Sequence, residues 1–453
     1  MKFTLQLSAI LLVGGLLIPA PLTRTAIAQT APTSAAETLP NGVVLLPSVD
    51  RTSPRVAISL LIGEGAADET AADAGWRRLL VAALSQQAPN GYEVGATEVA
   101  QQESLVNAAS ELGGNIAVAV GDDVVEISVV GDSARGTDLL KLALALLQNP
   151  RLTDENIDKA RERQLDRVSA QDLEVTSRID AAIRNQVFRD KSGNLIAYGL
   201  PDDGTDKSIE ALDNARIREL QTRLASAPLT VSAVGDVDVS ALREVLAQLP
   251  ARAPMTAQKP AFALPKAGAP SLRVSELAVE GAYVLVSYPL PDFDAADGPA
   301  MRVLVAALSD AKGARLPSRL SGALVKGAPQ AETVSAQWLN RRYASELLLS
   351  AQTMPANVEG VKNVLLDEVN RLRQKPLSGT ELERARAYAR GDWALDRQDL
   401  RNRAFLSGLP TALGALSDAT WQTRLAQVSA ADVQRVANKY LGRYAVALVM
   451  PKG

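Results

Sequence analysis

The stretch AADAGWRRLLVAALS, Ala71 to Ser85, returns as AADGPAMRVLVAALS, Ala295 to Ser309, with ten of fifteen positions identical at an offset of 224 residues. A second match, Lys159-Ala160-Arg161 against Arg384-Ala385-Arg386, sits at an offset of 225, inside NPRLTDENIDKAR and QKPLSGTELERAR. Two matches far apart in the chain at nearly one offset mean that a unit of roughly 200 residues is written twice. Whatever architecture the first copy adopts, the second must adopt it too.

Within the first copy, VVLLP (Val43–Pro47) and RVAISLLIG (Arg55–Gly63) read as strands, being short Val/Ile/Leu-rich runs. Helices are expected over Ala72–Leu84 and Gln101–Leu112, the latter closed by Gly113-Gly114. NIAVAVGDDVVEISVVG reads as a hairpin turning at Gly121-Asp122-Asp123. Further helices are expected at Thr137–Leu147, at Thr153–Val168 with continuation to about Phe188, and at Val239–Leu249, with a strand at Leu229–Asp236. The second copy offers strands in LRVSELA, AYVLVSYPL, SELLLSAQ and AVALVM. Its helices are expected over Ala295–Leu308, Asn357–Arg373, from Thr380 onward and Val428–Leu441.

The ends and the middle divide the chain. Lys2, the apolar run Leu5–Ile18 and the Ala26-Ile27-Ala28 site form a cleavable secretory signal over residues 1–28, with the mature start near Gln29 and a periplasmic or secreted location expected. A membrane anchor is the alternative, but the run is shorter than the ~18 apolar residues that a spanning helix needs. Residues 29–40 are expected to be a flexible leader, 41–249 and 271–453 the two domains, and 250–270, dense in Pro and Ala, a linker.

Composition then excludes chemistry. The chain has no cysteine and no histidine, so disulfides, thiolates and His-based nucleophile activation are ruled out, and a zinc site would have to be built from carboxylates alone. A net charge of −3 and 4% aromatic residues argue against a nucleic-acid partner. Each carboxylate cluster has a bland reading. Glu64, Asp68 and Glu69 are expected to be a solvated loop or helix N-terminal charges. Glu155, Glu162 and Asp166 are expected on a salt-bridged helix face, and Asp122-Asp123 serves a turn. Gly113-Gly114 follows a helix and precedes a strand, the reverse of a phosphate loop.

In order and spacing, IGEGAADETAADAGWRRLL, ELGGNIAVAVGDD, NPRLTDENIDKARER, SRLSGAL and SAADVQRVANKYL resemble the pitrilysin/insulinase metallopeptidase family, which includes mitochondrial processing peptidase and its bacterial relatives. The resemblance implies an α+β fold: two homologous α/β rolls, each a mixed sheet covered by helices, forming a half-clam. It also implies that active relatives carry H-x-x-E-H, with zinc on two histidines of one helix face and the glutamate activating water. The matching positions here are Arg78, Val81 and Ala82, with the downstream glutamate position near Arg167. None can bind zinc or take a proton, so no cofactor is expected in this chain. The substrate-holding Arg and Tyr of the second domain map to Val325 and Glu332. Arg342-Tyr343 nearby reads as edge decoration, because neighbours on a strand face opposite ways. The implied role is a non-catalytic subunit, not an enzyme by itself, beside a zinc-bearing partner chain. Peptide would add to the edge strand at Gly114, Asn115, Ile116 and Ala117. The alternative is a self-associating scaffold, such as a homodimer.

Overall fold

A computed structural model of the chain describes residues 36–452 apart from 93–103, 172–174, 253–270, 278, 280, 292, 310–317, 326–327 and 415–419. Residues 1–28, read as a signal, residues 29–35 of the leader and most of the linker lie outside the described residues.

The first half runs β1 (Glu37–Thr38), β2 (Val44–Val49), β3 (Arg55–Ile62), α1 (Trp76–Leu84), α2 (Leu105–Glu111), β4 (Gly114–Val120), β5 (Val125–Asp132), α3 (Gly136–Gln148), α4 (Asp154–Gln171), α5 (Val175–Val187), α6 (Asp206–Glu210), α7 (Asn214–Ser226), β6 (Leu229–Gly235) and α8 (Val239–Ala247). The second half runs β7 (Leu272–Leu277), β8 (Ala282–Leu290), α9 (Gly298–Leu308), β9 (Ala331–Leu339), β10 (Ser345–Thr353), α10 (Val358–Gln374), α11 (Gly379–Leu395), α12 (Leu400–Ala412), α13 (Trp421–Gln427), α14 (Ala430–Tyr440) and β11 (Ala445–Pro451). The sheet orders are β1-β2-β6-β3-β5-β4 and β7-β11-β8-β10-β9. In each, one parallel pair (β2 with β6, β7 with β11) joins antiparallel neighbours. Apart from β1 the two sheets have one topology, as the repeat demands: two mixed sheets, each with helices packed on it, as the resemblance implied.

The central strands are buried on both faces, which explains their unbroken apolar runs. On β3, Val56, Ile58, Leu60 and Ile62 point to the first half's own helices, while Ala57 and Leu61 point the other way. What covers that second face comes from the other half. Helix α12 lays Ala404, Gly408 and Ala412 across β3 and β6. Helix α5 in turn lays Ile179, Ile183 and Val187 on Leu285 of β8 and on Ala445, Ala447 and Val449 of β11. These two helices, Val175–Val187 and Leu400–Ala412, lie 225 residues apart and are therefore copies of one another. Each half covers its partner's sheet.

A polar pair under each helix is also duplicated. Ser59 Oγ donates to Glu126 at 2.8 Å, and Ser287 Oγ donates to Glu346 at 2.6 Å, all four residues buried. Glu126 takes its counter-charge from Arg401 on α12 at 2.8 Å, and Glu346 takes its own from Arg341 at 2.8 Å. A buried carboxylate without such partners would cost several kcal/mol.

Several boundaries differ from the sequence reading. The leader is not wholly flexible: β1 pairs with β2, and Glu37 bridges to Arg243. Nor does the linker begin free, since Arg252 is buried and donates to the Ala227 carbonyl at 2.6 Å. Helix α1 starts at Trp76 rather than Ala72, because Gly75 sits at φ +87 and breaks the preceding turn. In the second half Ala295–Asp297 is a 3-10 turn before α9. The hairpin β4–β5 stands as expected.

Candidate functional site

Helix α1 is amphipathic in an unusual direction. Its buried residues fill the first core, and the side chains left partly or fully exposed are Arg78, Ala82 and Ser85, at helical spacing along one line. The helix packs against β4 and α4. Its N-terminus is fixed from the acidic loop: the buried Glu69 carboxylate accepts from Gly75 N at 2.7 Å and Arg77 N at 3.1 Å, two of the amides a helix start leaves without partners.

The loop after Leu200 is pressed onto the same end of the helix. A Cβ on Gly75 would stand 2.5 Å from the Asp203 carbonyl, and one on Gly204 2.2 Å from the Ala74 carbonyl. The buried Gln164 amide, on α4, ties the two together by donating to the Gly75 and Asp203 carbonyls, both at 2.9 Å. This close approach delivers Asp202 and Asp203 to the arginines. Asp203, with a side chain only 3% exposed, lies 3.3 Å from Arg167 Nε and 4.0 Å from Arg78 Nε. Asp202 lies 3.4 Å from Arg78 Nη2 and accepts from Arg184 at 3.0 Å. Arg78 and Arg167 remain 40% and 45% exposed, so each pair is worth under ~1 kcal/mol to the fold.

The structure thus brings Arg78 and Arg167 together around one carboxylate. Val81, by contrast, turns into the core and Ala82 packs on its margin. The donor set does not fit zinc: two guanidiniums, which are always cationic and have no lone pair to offer, face the place between α1 and α4. Among the described residues no group of three acidic, His or Cys side chains is placed to hold a metal. Asp202 and Asp203 were missed in the sequence, for they stand in an unpatterned loop. The second half repeats the arrangement with one sign changed. Arg302, the counterpart of Arg78, pairs with Asp392, the counterpart of Arg167, beside Val305 and Ala306 in a cleft of about 330 Å³.

Gly114, Asn115, Ile116 and Ala117 lie in β4, the edge strand of the first sheet, paired only with β5 among the described residues. Val325 ends a π-helical turn (Ser321–Val325) and Glu332 is exposed on β9, the edge of the other sheet. Among the described residues no hydrogen bond joins either to the first-half cluster.

Two readings are corrected here. Arg342-Tyr343 is not edge decoration on a strand, because it lies in the turn between β9 and β10, where the two-residue alternation does not apply. Both side chains converge on Asp68: Arg342 Nη2 at 2.5 Å and Tyr343 OH at 2.7 Å. Of the two readings of the acidic loop, solvated charges or helix N-terminal charges, the first fails and the second holds for Glu69, which accepts from the amides at the start of α1. Glu64 is paired with Arg77 and Arg223, and Glu69 with Arg77. Asp123, at the β4–β5 turn, accepts from Tyr198 OH at 2.7 Å and Arg342 N at 3.0 Å, and Asp122 pairs with Arg341. The two hairpin tips therefore lock the halves together. Glu155, in contrast, pairs with Lys159 on the outer face of α4, as read.

Burial dominates the charge of Glu69 and pushes its carboxyl up to about 7, against the pull of Arg77 and the two amides. The folded chain therefore holds this proton below about pH 7 and the unfolded chain only below the ordinary carboxylate value near 4.5. The contribution of this residue to stability is full at pH 4.5 and is lost as pH rises through 7. Urea unfolding of the wild type and Glu69→Gln across pH 4.5–8 should show the stability of the wild type falling relative to the variant by the order of 2–3 kcal/mol. A flat difference would contradict this.

Comparison with known proteins matches residues 221–388 to the family described as Peptidase M16 inactive domain. A protease from Helicobacter pylori superposes with a TM-score of 0.79 at 17% identity, covering 92% of this chain and 99% of that one. The peptidase M16 inactive domain from Pseudomonas fluorescens gives 0.75 at 14% identity, over 92% and 98%. A chain of complex III2 from Candida albicans, solved with Inz-5 bound, gives 0.71 at 16% identity, over 92% and 95%. No curated protein sequence is significantly similar to the chain.

Proposed function

We propose that this chain, of which residues 221–388 match the family described as Peptidase M16 inactive domain, is the non-catalytic subunit of a pitrilysin-type zinc peptidase pair, closing a chamber around peptides that a metal-bearing partner cleaves. The observation that carries this reading is the pair Arg78 and Arg167 gathered on Asp203, at the positions that the resemblance matches to the metal site of active relatives. Guanidiniums so arranged offer a metal no lone pair, while the chain keeps the walls. Chief among these is β4, whose outer edge is unpaired among the described residues and can accept an extended peptide through backbone hydrogen bonds at Gly114, Asn115, Ile116 and Ala117. The signal-like N-terminus supports a periplasmic or extracellular location for the pair.

A second reading is a structural, self-associating protein without peptidase activity. The likeness to a chain of the Candida albicans complex III2 supports it, since the fold there is part of a larger assembly.

Affinity purification of the tagged full-length chain from its own cells, with metal analysis and peptide cleavage assays on the product, separates the two. The pair predicts a stoichiometric partner bearing H-x-x-E-H, zinc confined to that partner, and cleavage by the two chains together that neither shows alone. A homo-oligomer with no such partner overturns it in favour of the scaffold.

A further inference from the structure

Among the described residues, the charged groups paired at the degenerate metal site are unequal in number. Three guanidiniums, Arg78 from α1, Arg167 from α4 and Arg184 from α5, share two carboxylates, Asp202 and Asp203. Among the described ion pairs this leaves one guanidinium over, beside a cleft of about 410 Å³. The location of this surplus matters more than its size. Asp203 is sunk at the base of the cluster, whereas Arg78 and Arg167 keep about two-fifths of their side chains open. A guanidinium has five N–H donors in a planar fork. Arg78 spends one on Asp202, and Arg167 spends Nε on Asp203 and Nη2 on a long contact with Gln164. The outer edges of both forks are therefore donors at the surface, next to the exposed line of α1.

Helix α1 packs directly on β4, so a strand added to the free edge of β4 would run over that line. We propose that the first-half site selects peptides with an acidic side chain, Asp or Glu, at the position that passes over Arg78 and Arg167, the carboxylate bridging the two guanidiniums on the side opposite Asp203. This deepens the peptide-binding reading above and rests on it. A basic residue at that position would meet unshared positive charge. The second-half counterpart, where Arg302 faces Asp392 and Asp396, has no such surplus and would not share the preference.

The test is a titration of the full chain with fluorescent, strand-forming synthetic decapeptides in which a single Glu, Gln or Lys is walked along a neutral Thr/Val/Ser background. At one position Glu should bind about five- to ten-fold more tightly than Gln, with Lys weakest, as expected for a partly exposed charge-assisted contact. Raising the salt should shrink the Glu/Gln ratio. Arg78→Gln and Arg167→Gln, each on a half-exposed side chain, should bring that ratio towards one. Binding that is equal for Glu, Gln and Lys at every position, or strongest for Lys, overturns the acidic preference while leaving the peptide-binding reading intact. Failure of every peptide to bind removes the peptide-binding reading and this inference with it.

Discussion

Replacing Arg77 by alanine should lower folding stability by about 3–5 kcal/mol, with the larger loss above pH 7. The side chain is wholly buried between Trp76, over whose ring the guanidinium lies at 4.1 Å, and the carboxylates of Glu64 and Glu69. Removing it leaves two acids facing each other in the interior. Glu64 keeps Arg223, at 2.8 Å, but Glu69 keeps only the amides of Gly75 and Arg77. At pH 5 Glu69 meets the loss by holding its proton, since burial has already moved its carboxyl up to about 7. Above pH 7 it must ionise without a counter-ion or the loop must open. Thermal or urea unfolding at both pH values would read this. A loss near 1 kcal/mol, independent of pH, would mean that the pair contributes little more than a surface bridge.

Gly408→Leu should cost about 3 kcal/mol, at the upper end of what overpacking does, and should split a single unfolding transition into two. A Cβ at this position would already stand 2.8 Å from Leu61 Cδ1 and from Ser232 Cβ. A leucine can be accommodated only by lifting α12 from the first sheet, which uncovers Ala57, Leu61 and Val234 and pulls Arg401 away from Glu126. Differential scanning calorimetry would show whether the halves then melt apart. A sharp single transition with a small shift in Tm would show that α12 is not what couples them.

Much of the fold was legible because the repeat and the apolar runs carry it. β3, β8 and β11 announce themselves as buried strands, and Gly113 marks the end of α2, whereas the start of α1 was read too early, at Ala72, because the break at Gly75 was not used. What failed had one physical cause: partners distant in sequence. Asp68 and Glu69 look like solvated acids because Arg342 lies 274 residues from Asp68, and nothing local shows that Arg77 turns inward. Arg342 and Tyr343 were assigned strand geometry because the turn between β9 and β10 has no glycine or proline to signal it. β9 itself, AETVSAQWL, is polar along much of its length because it is an edge, and an edge gives little apolar alternation to read. At the candidate site, the resemblance supplied Arg78, Val81, Ala82 and Arg167, but the carboxylates that draw the arginines together were invisible. The positions of Val325 and Glu332 fall on a turn and an edge strand that, among the described residues, no hydrogen bond joins to that cluster.

The crossing of α5 and α12 has a meaning beyond stability. Two copies of one unit that each lend the same helix to the other form an isologous contact, the arrangement of a twofold dimer with an exchanged element. Joined by a linker, such a dimer no longer has to keep its two faces alike, because each position is now encoded twice and can drift by itself. The consequence is visible at one pair of sites: the descendant of a single ancestral position is Arg167 in one copy and Asp392 in the other. Fusion turned a symmetric object into one with two distinguishable interiors, so a change of charge in one copy leaves the interior of the other as it was.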